Sequence, residues 1–144
     1  MFARLVLIVP GLLFLGYGVV CWINPELPAE NGGLFIVHQD GIAEMAALYG
    51  GLQCSLGAII TVSAILKGYL RPGLWLVFLC CGALAAARGS VAFGDFDLSV
   101  QAAQGATDVA MDSGFTAYTW YALLCEAVFS TLAGICLLRK ENIS

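Results

Sequence analysis

IAEMAALYGGLQCSLGAIITVSAIL, residues 42–66, is long enough to cross a bilayer and carries one ionisable side chain, Glu44. A hydrocarbon core of about 30 Å takes about 20 helical residues at about 1.5 Å of rise each. The stretch does not alternate polar and apolar residues as a barrel strand would, and an open strand in lipid would leave its backbone groups unpaired. It is therefore predicted to be a membrane-spanning helix. Three more stretches pass the same test: about 5–23, closed by Asn24-Pro25, about 73–93, and about 115–138. Pro10 lies inside the first, where a lipid-embedded helix accommodates a bend.

The composition of the 144 residues agrees. Of them, 60% are hydrophobic and 11% charged, against roughly 25% charged in an ordinary soluble domain. So little charge cannot cover a water-facing surface, and lipid must be the solvent for most of it. Six basic residues against ten acidic ones exclude a phosphate-tracking nucleic-acid binder. The cysteines sit in apolar runs rather than loops, which excludes a disulfide-stapled secreted domain. The expected fold is all-α: one integral membrane four-helix bundle over residues 1–144, without an internal repeat or low-complexity linker. Arg4 before the first apolar run imitates a signal peptide, but no A-x-A-like site follows, so the span is expected to be retained.

Basic residues concentrate in short cytoplasmic segments. Arg4 precedes the first span, Lys67 and Arg71 join the second to the third, and Arg139 and Lys140 follow the fourth. The opposite loops, 24–41 and 94–114, hold Glu26, Glu30, Asp40, Asp95, Asp97, Asp108 and Asp112 and no lysine or arginine. Both termini are thus expected in the cytoplasm and both acidic loops outside. Within the second outer loop, residues 98–104 and 107–112 could form short interfacial helices. Tyr118, Trp120, Tyr121 and Trp22 read as an outer aromatic belt, and Trp75 and Tyr69 as its inner counterpart.

Helices in lipid gain little from hydrophobicity against one another, so small residues that let backbones approach mark their contacts. Gly50, Cys54, Gly57 and Ala58 form one ridge on the second span, with Gly51 and Ser55 beside it. Gly82 with Ala86 and Ala83 with Ala87 mark the third span, and Ser130 with Gly134 the fourth. These seams either close the bundle or join protomers. Cys54, Cys80, Cys81, Cys125 and Cys136 serve as small apolar packing residues.

Three ionisable residues remain within the spans: Glu44, Arg88 and Glu126. Charges there are costly enough to be functional candidates by default. At about 1.5 Å per residue, Glu44 lies within a turn of its span's outer start, Arg88 about 22 Å above the inner start of its span, and Glu126 about 12 Å below Tyr118. All three fall in the outer half, and an arginine fork suits two carboxylates at once. They are expected to form a buried cluster with Tyr49 and Gln53 as hydrogen-bonding neighbours. Its formal charge of −1 would be completed by a proton or a cationic or hydrogen-donating guest, whereas an interhelical ion pair with Glu44 snorkelling to the interface is the plainer alternative. His38 and Asp40 read as exposed loop residues, and Asp108 with Asp112 as a solvated acidic face.

The run from Glu44 to Gly57, with Glu44 five residues before Tyr49-Gly50-Gly51, resembles an uncharacterised bacterial family of small four-span membrane proteins, number 4345 among the domains of unknown function. Gly16, Asn24-Pro25, Arg88 and Glu126 extend the resemblance along the chain. Ala46 and Ala47 stand where members often carry a basic residue. The resemblance implies the fold, a bacterial inner membrane and the choice of residues, but no activity.

Three functions compete at this point. The first is non-enzymatic: a homo-oligomer or accessory subunit of a larger membrane complex, whose polar cluster fixes helix register or binds a lipid or small amphipathic ligand. The second is an intramembrane enzyme on a lipophilic substrate, with Glu126 or Glu44 as acid or base and Arg88 holding an anionic group. The third is a proton-coupled carrier. No histidine cluster, metal motif, nucleotide loop or activated nucleophile occurs, so no metal or cofactor is expected and membrane lipids are the expected partners.

Overall fold

A computed structural model describes residues 1–94 and 115–139, and among these no strand occurs. The elements are α1 (Phe2–Ile23), α2 (Glu26–Asn31), α3 (Gln39–Met45), a π-helical segment (Ala46–Leu52), α4 (Gln53–Ile65), α5 (Leu70–Phe93) and α6 (Ala117–Leu138). Segment α3, the π segment and α4 run on as one rod, Gln39–Ile65. With α1, α5 and α6 it gives four helices long and apolar enough to cross a membrane. Apolar side chains such as Leu13, Leu48, Ile59, Leu79 and Leu124 stand exposed along them, a surface that suits lipid and not water.

The ends depart from the expected ones by a few residues. The first helix takes in Arg4, and the third starts at Leu70, so Arg71 and Pro72 lie in its first turn, where the missing proline N–H costs nothing. Pro10 is buried inside α1 without ending it. The loop after Asn24 holds α2, which no periodicity announced; Pro25 is its N-cap and Pro28 sits in its first turn. The proposed interfacial helices at 98–104 and 107–112 lie outside the described residues, as do Asp95, Asp97, Asp108, Asp112 and Lys140. Between α4 and α5 the chain reverses in the few residues around Gly68, whose φ of 87° is open to glycine and strained for other residues.

Glycine placement decides which helices touch. A Cβ on Gly18 would lie 2.7 Å from the Cys54 nitrogen, one on Gly50 would lie 3.0 Å from the Trp22 Cα, and one on Gly57 would meet the backbones of Leu15 and Gly11. Thus α1 and the second rod run antiparallel, backbone against backbone, along the Gly50, Cys54 and Gly57 ridge. The second seam is α5 on α6: a Cβ on Gly82 would lie 2.9 Å from the Ser130 Oγ, and one on Gly134 would lie 3.2 Å from the Phe78 ring. Ser130 Oγ donates across this seam to the Phe78 carbonyl at 3.0 Å, so the buried hydroxyl is satisfied. The pairs join where a Cβ on Gly73 would meet the Ser63 Cβ at 2.6 Å and Leu7 at 2.9 Å. Gly51, expected on a packing seam, has open space over its α-carbon, with only the Ala46 carbonyl at 4.0 Å. It is on a different side of the rod from the ridge that faces α1.

The buried apolar core, including Leu7, Ile60, Leu74, Val77, Cys81 and Ala133, fills the half of the molecule nearest the Gly68 turn. The half carrying Ile23, Phe93 and Ala117, called distal below, buries little apolar side chain. That half holds the charges.

Candidate functional site

Arg88 on α5 and Glu126 on α6 meet in the distal half. Glu126 lies nine residues into α6, about 13 Å from its distal start, and Arg88 five residues before the distal end of α5, about 7 Å down. Side chains lean toward the N-terminus of their own helix. On antiparallel neighbours this tips Arg88 away from the distal end and Glu126 toward it, so the two converge across the level difference. The Arg88 Nε donates to both carboxylate oxygens, 3.0 Å to Oε1 and 3.1 Å to Oε2. The side chains are 29% and 12% exposed.

This engagement uses the edge of the guanidinium and not its fork. An arginine carries five N–H donors, and no acceptor among the described residues meets the terminal Nη1 and Nη2. The guanidinium carbon lies 5.9 Å from the centre of the Tyr118 ring, within cation–π range. Tyr118 in turn shares a hydrogen bond with Tyr17 of α1, oxygen to oxygen 3.2 Å. The Cys21 thiol, one turn along α1, also contacts Tyr17. Tyr49, in the π segment, lies within electrostatic reach of Arg88. Three helices therefore contribute to one polar cluster, Tyr17, Arg88, and Tyr118 with Glu126, and Tyr49 of the second rod lies within electrostatic reach of it.

The expected triad is corrected to a pair. Glu44 is exposed and has no ion pair or hydrogen bond with a described residue. Leu48 and Ser55, which regular helical spacing puts on one face with Glu44 and Gly51, are exposed too, and Gly51 is half-buried. The glycine ridge turns its own side of the rod to α1, and the glutamate, near the end of α3, is left exposed by the described residues. Without Glu44 the cluster is formally neutral rather than −1, and the missing proton or cation is no longer required. Gln53 is half-buried and makes no hydrogen bond to a described residue. Tyr49 is half-buried and makes no hydrogen bond to a described residue.

Two participants escaped the sequence reading. Tyr118 read as a belt residue, and Tyr17 was not singled out. Tyr17 lies six residues, about 9 Å, before the end of α1, below the level at which a belt tyrosine reaches water. That depth is the signal. The π segment itself, Ala46–Leu52, contains Tyr49-Gly50-Gly51. Such segments are rare and recur at functional sites, because the wider turn displaces the side chains that follow.

His38 caps α3 by accepting from the Asp40 N–H at 3.4 Å, with both side chains exposed. No group of three metal-ligating side chains occurs among the described residues. Searches of family models, of curated proteins and of solved structures find no match to this chain.

Proposed function

We propose that the chain is a small non-enzymatic protein of a bacterial inner membrane, an oligomer or accessory subunit that holds the head of a lipid or similar amphipathic molecule in the outer half of its bundle. In this reading both termini are cytoplasmic, loops 24–41 and 94–114 face outward, and the distal half lies in the outer leaflet, as the basic residues at 4, 67, 71 and 139 argue. Membership of the family that Glu44 to Gly57 resembles belongs to the same proposal.

The observation that carries it is the partial use of Arg88. A purely structural pair between neighbouring helices is best served by the two-pronged contact of guanidinium with carboxylate. Here the carboxylate takes Nε alone, and the four terminal donors point to no acceptor among the described residues. The pair still pins α5 to α6, and it presents those donors at a half-buried place. The enzyme reading is weaker, because Glu126 is already engaged by Arg88 and no second carboxylate pairs with Arg88 among the described residues. The carrier reading would need two carboxylates sharing a proton, and among the described residues Glu44 does not join Glu126. Ala83, Ala86 and Ala87 on the distal half of α5 form a small-residue face that the described residues leave exposed and that suits a neighbouring helix.

The test is purification in mild detergent followed by native mass spectrometry, reading bound lipid and subunit number together. Retained lipid that is lost in a folded Arg88→Gln, Glu126→Gln double variant supports the reading. Absence of lipid from the wild-type protein refutes it.

A further inference from the structure

Resting on that lipid-holding reading, we infer that the group held at Arg88 is a singly charged phosphodiester, the link between glycerol and headgroup in a phospholipid. The argument is an inventory of donors and acceptors. Nη1 and Nη2 of Arg88 offer four N–H groups. Tyr49 makes no hydrogen bond to a described residue and offers its O–H. When Tyr17 donates in the 3.2 Å bond to Tyr118, the Tyr118 O–H is also available. The strong acceptor that Arg88 meets among the described residues, the Glu126 carboxylate, is occupied by Nε. A site made of donors selects a ligand made of acceptors, which sets aside amines, sugars and alcohols.

Charge and shape narrow the choice. Glu126 already neutralises Arg88, so an anion bound at the free fork leaves the site at −1, and a guest with one charge is favoured over one with two. A phosphodiester carries one charge and no donor. A carboxylate also carries one, but its two oxygens are coplanar and the arginine fork alone satisfies them. Here the Tyr118 ring of α6 has its centre 5.9 Å from the guanidinium carbon, and Tyr49 of the π segment lies within electrostatic reach of Arg88. Donors drawn from three elements suit the tetrahedral arrangement of phosphate oxygens.

The experiment uses the full chain in detergent, with phosphatidylglycerol, phosphatidylcholine and diacylglycerol of identical acyl chains, and inorganic phosphate as a soluble competitor, read by native mass spectrometry. Both phospholipids are expected to bind, diacylglycerol at least about tenfold more weakly, and millimolar phosphate is expected not to displace them. Arg88→Lys, which keeps the charge and the contact with Glu126 but loses the fork, should weaken phospholipid binding about tenfold, and Tyr49→Phe a few-fold. Melting in detergent confirms that each variant is folded. Equal retention of diacylglycerol overturns the phosphodiester assignment and leaves lipid binding standing, as does equal affinity of the Arg88→Lys and Tyr49→Phe proteins. Displacement by inorganic phosphate overturns the lipid source. Failure of all three lipids overturns both readings.

Discussion

Leaving either member of the Arg88 and Glu126 pair alone should cost far more than removing both. Glu126→Leu strands a guanidinium whose side chain is 29% exposed, and Arg88→Met strands a carboxylate only 12% exposed. Breaking a fully buried pair costs about 3–5 kcal/mol, and an exposed one is worth about 0–1 kcal/mol. The pair lies between these limits and nearer the buried one. Arginine recovers part of its cost by snorkelling. Each single change is therefore expected to destabilise by about 2 kcal/mol, with Arg88→Met the larger because its orphan is more enclosed. The double substitution replaces two charges by apolar groups of similar length and should cost less than about 1 kcal/mol. The coupling from the double-mutant cycle is then about 3 kcal/mol. Reversible unfolding in mixed micelles, followed by circular dichroism against the mole fraction of denaturing detergent, measures all four proteins on one scale. Additive singles, with coupling under about 0.5 kcal/mol, would show that the 3.0 Å contact does not hold α5 to α6, and the reasoning built on it would fall.

Neighbouring glycines should respond oppositely. Gly50→Ala puts a methyl against the Trp22 backbone and should lower stability by about 1–3 kcal/mol in the same assay, whereas Gly51→Ala enters open space and should be neutral or stabilising by up to about 1 kcal/mol. Glu44→Gln should leave stability and lipid retention within error, since the side chain is exposed; a loss above about 1 kcal/mol would restore it to the cluster. Tyr17→Phe removes the hydrogen bond between α1 and α6 and should cost about 1 kcal/mol, with loss of protection of distal α1 amides in hydrogen exchange.

The long-range architecture was legible because lipid leaves the chain few options. Any apolar run of sufficient length must satisfy its own backbone, so the four helices followed from composition alone. Depth was legible too, since helical rise is constant, and it brought Arg88 and Glu126 to compatible levels. The facing direction was not. Spacing grouped Glu44 with Leu48 and Ser55, but which face of a rod turns inward depends on the partner, and the partner of the second rod is α1, through Gly50 and Gly57. A hydrophobic pattern identifies the inward face of a helix in water. In lipid every face is apolar, and only the small residues mark it. The π segment compounds this, because residue spacing across it follows a wider turn than the one the prediction assumes. Tyr17 was hidden for a related reason: its ring satisfies the apolar pattern and only its hydroxyl matters.

The unequal halves of the molecule give the cluster its chemistry. Near the Gly68 turn, Leu7, Ile60, Leu74 and Val77 exclude everything else, and the two helix pairs are held together there. In the distal half the α1 pair and the α5 pair are joined by the Tyr17 to Tyr118 hydrogen bond, with Tyr49 near Arg88 as the second approach. A polar contact is a weaker closure than a packed core, since its groups can exchange partners at small net cost. An acceptor entering between the pairs would take N–H and O–H donors that have no acceptor among the described residues, without breaking the Nε contact that keeps α5 on α6. Binding there would therefore draw the two pairs together rather than pry them apart. Lipid should accordingly raise the stability of the distal half more than that of the core. Hydrogen exchange with and without bound phospholipid would read this as protection confined to the distal turns of α1, the π segment, α5 and α6, and uniform protection along the rods would contradict it.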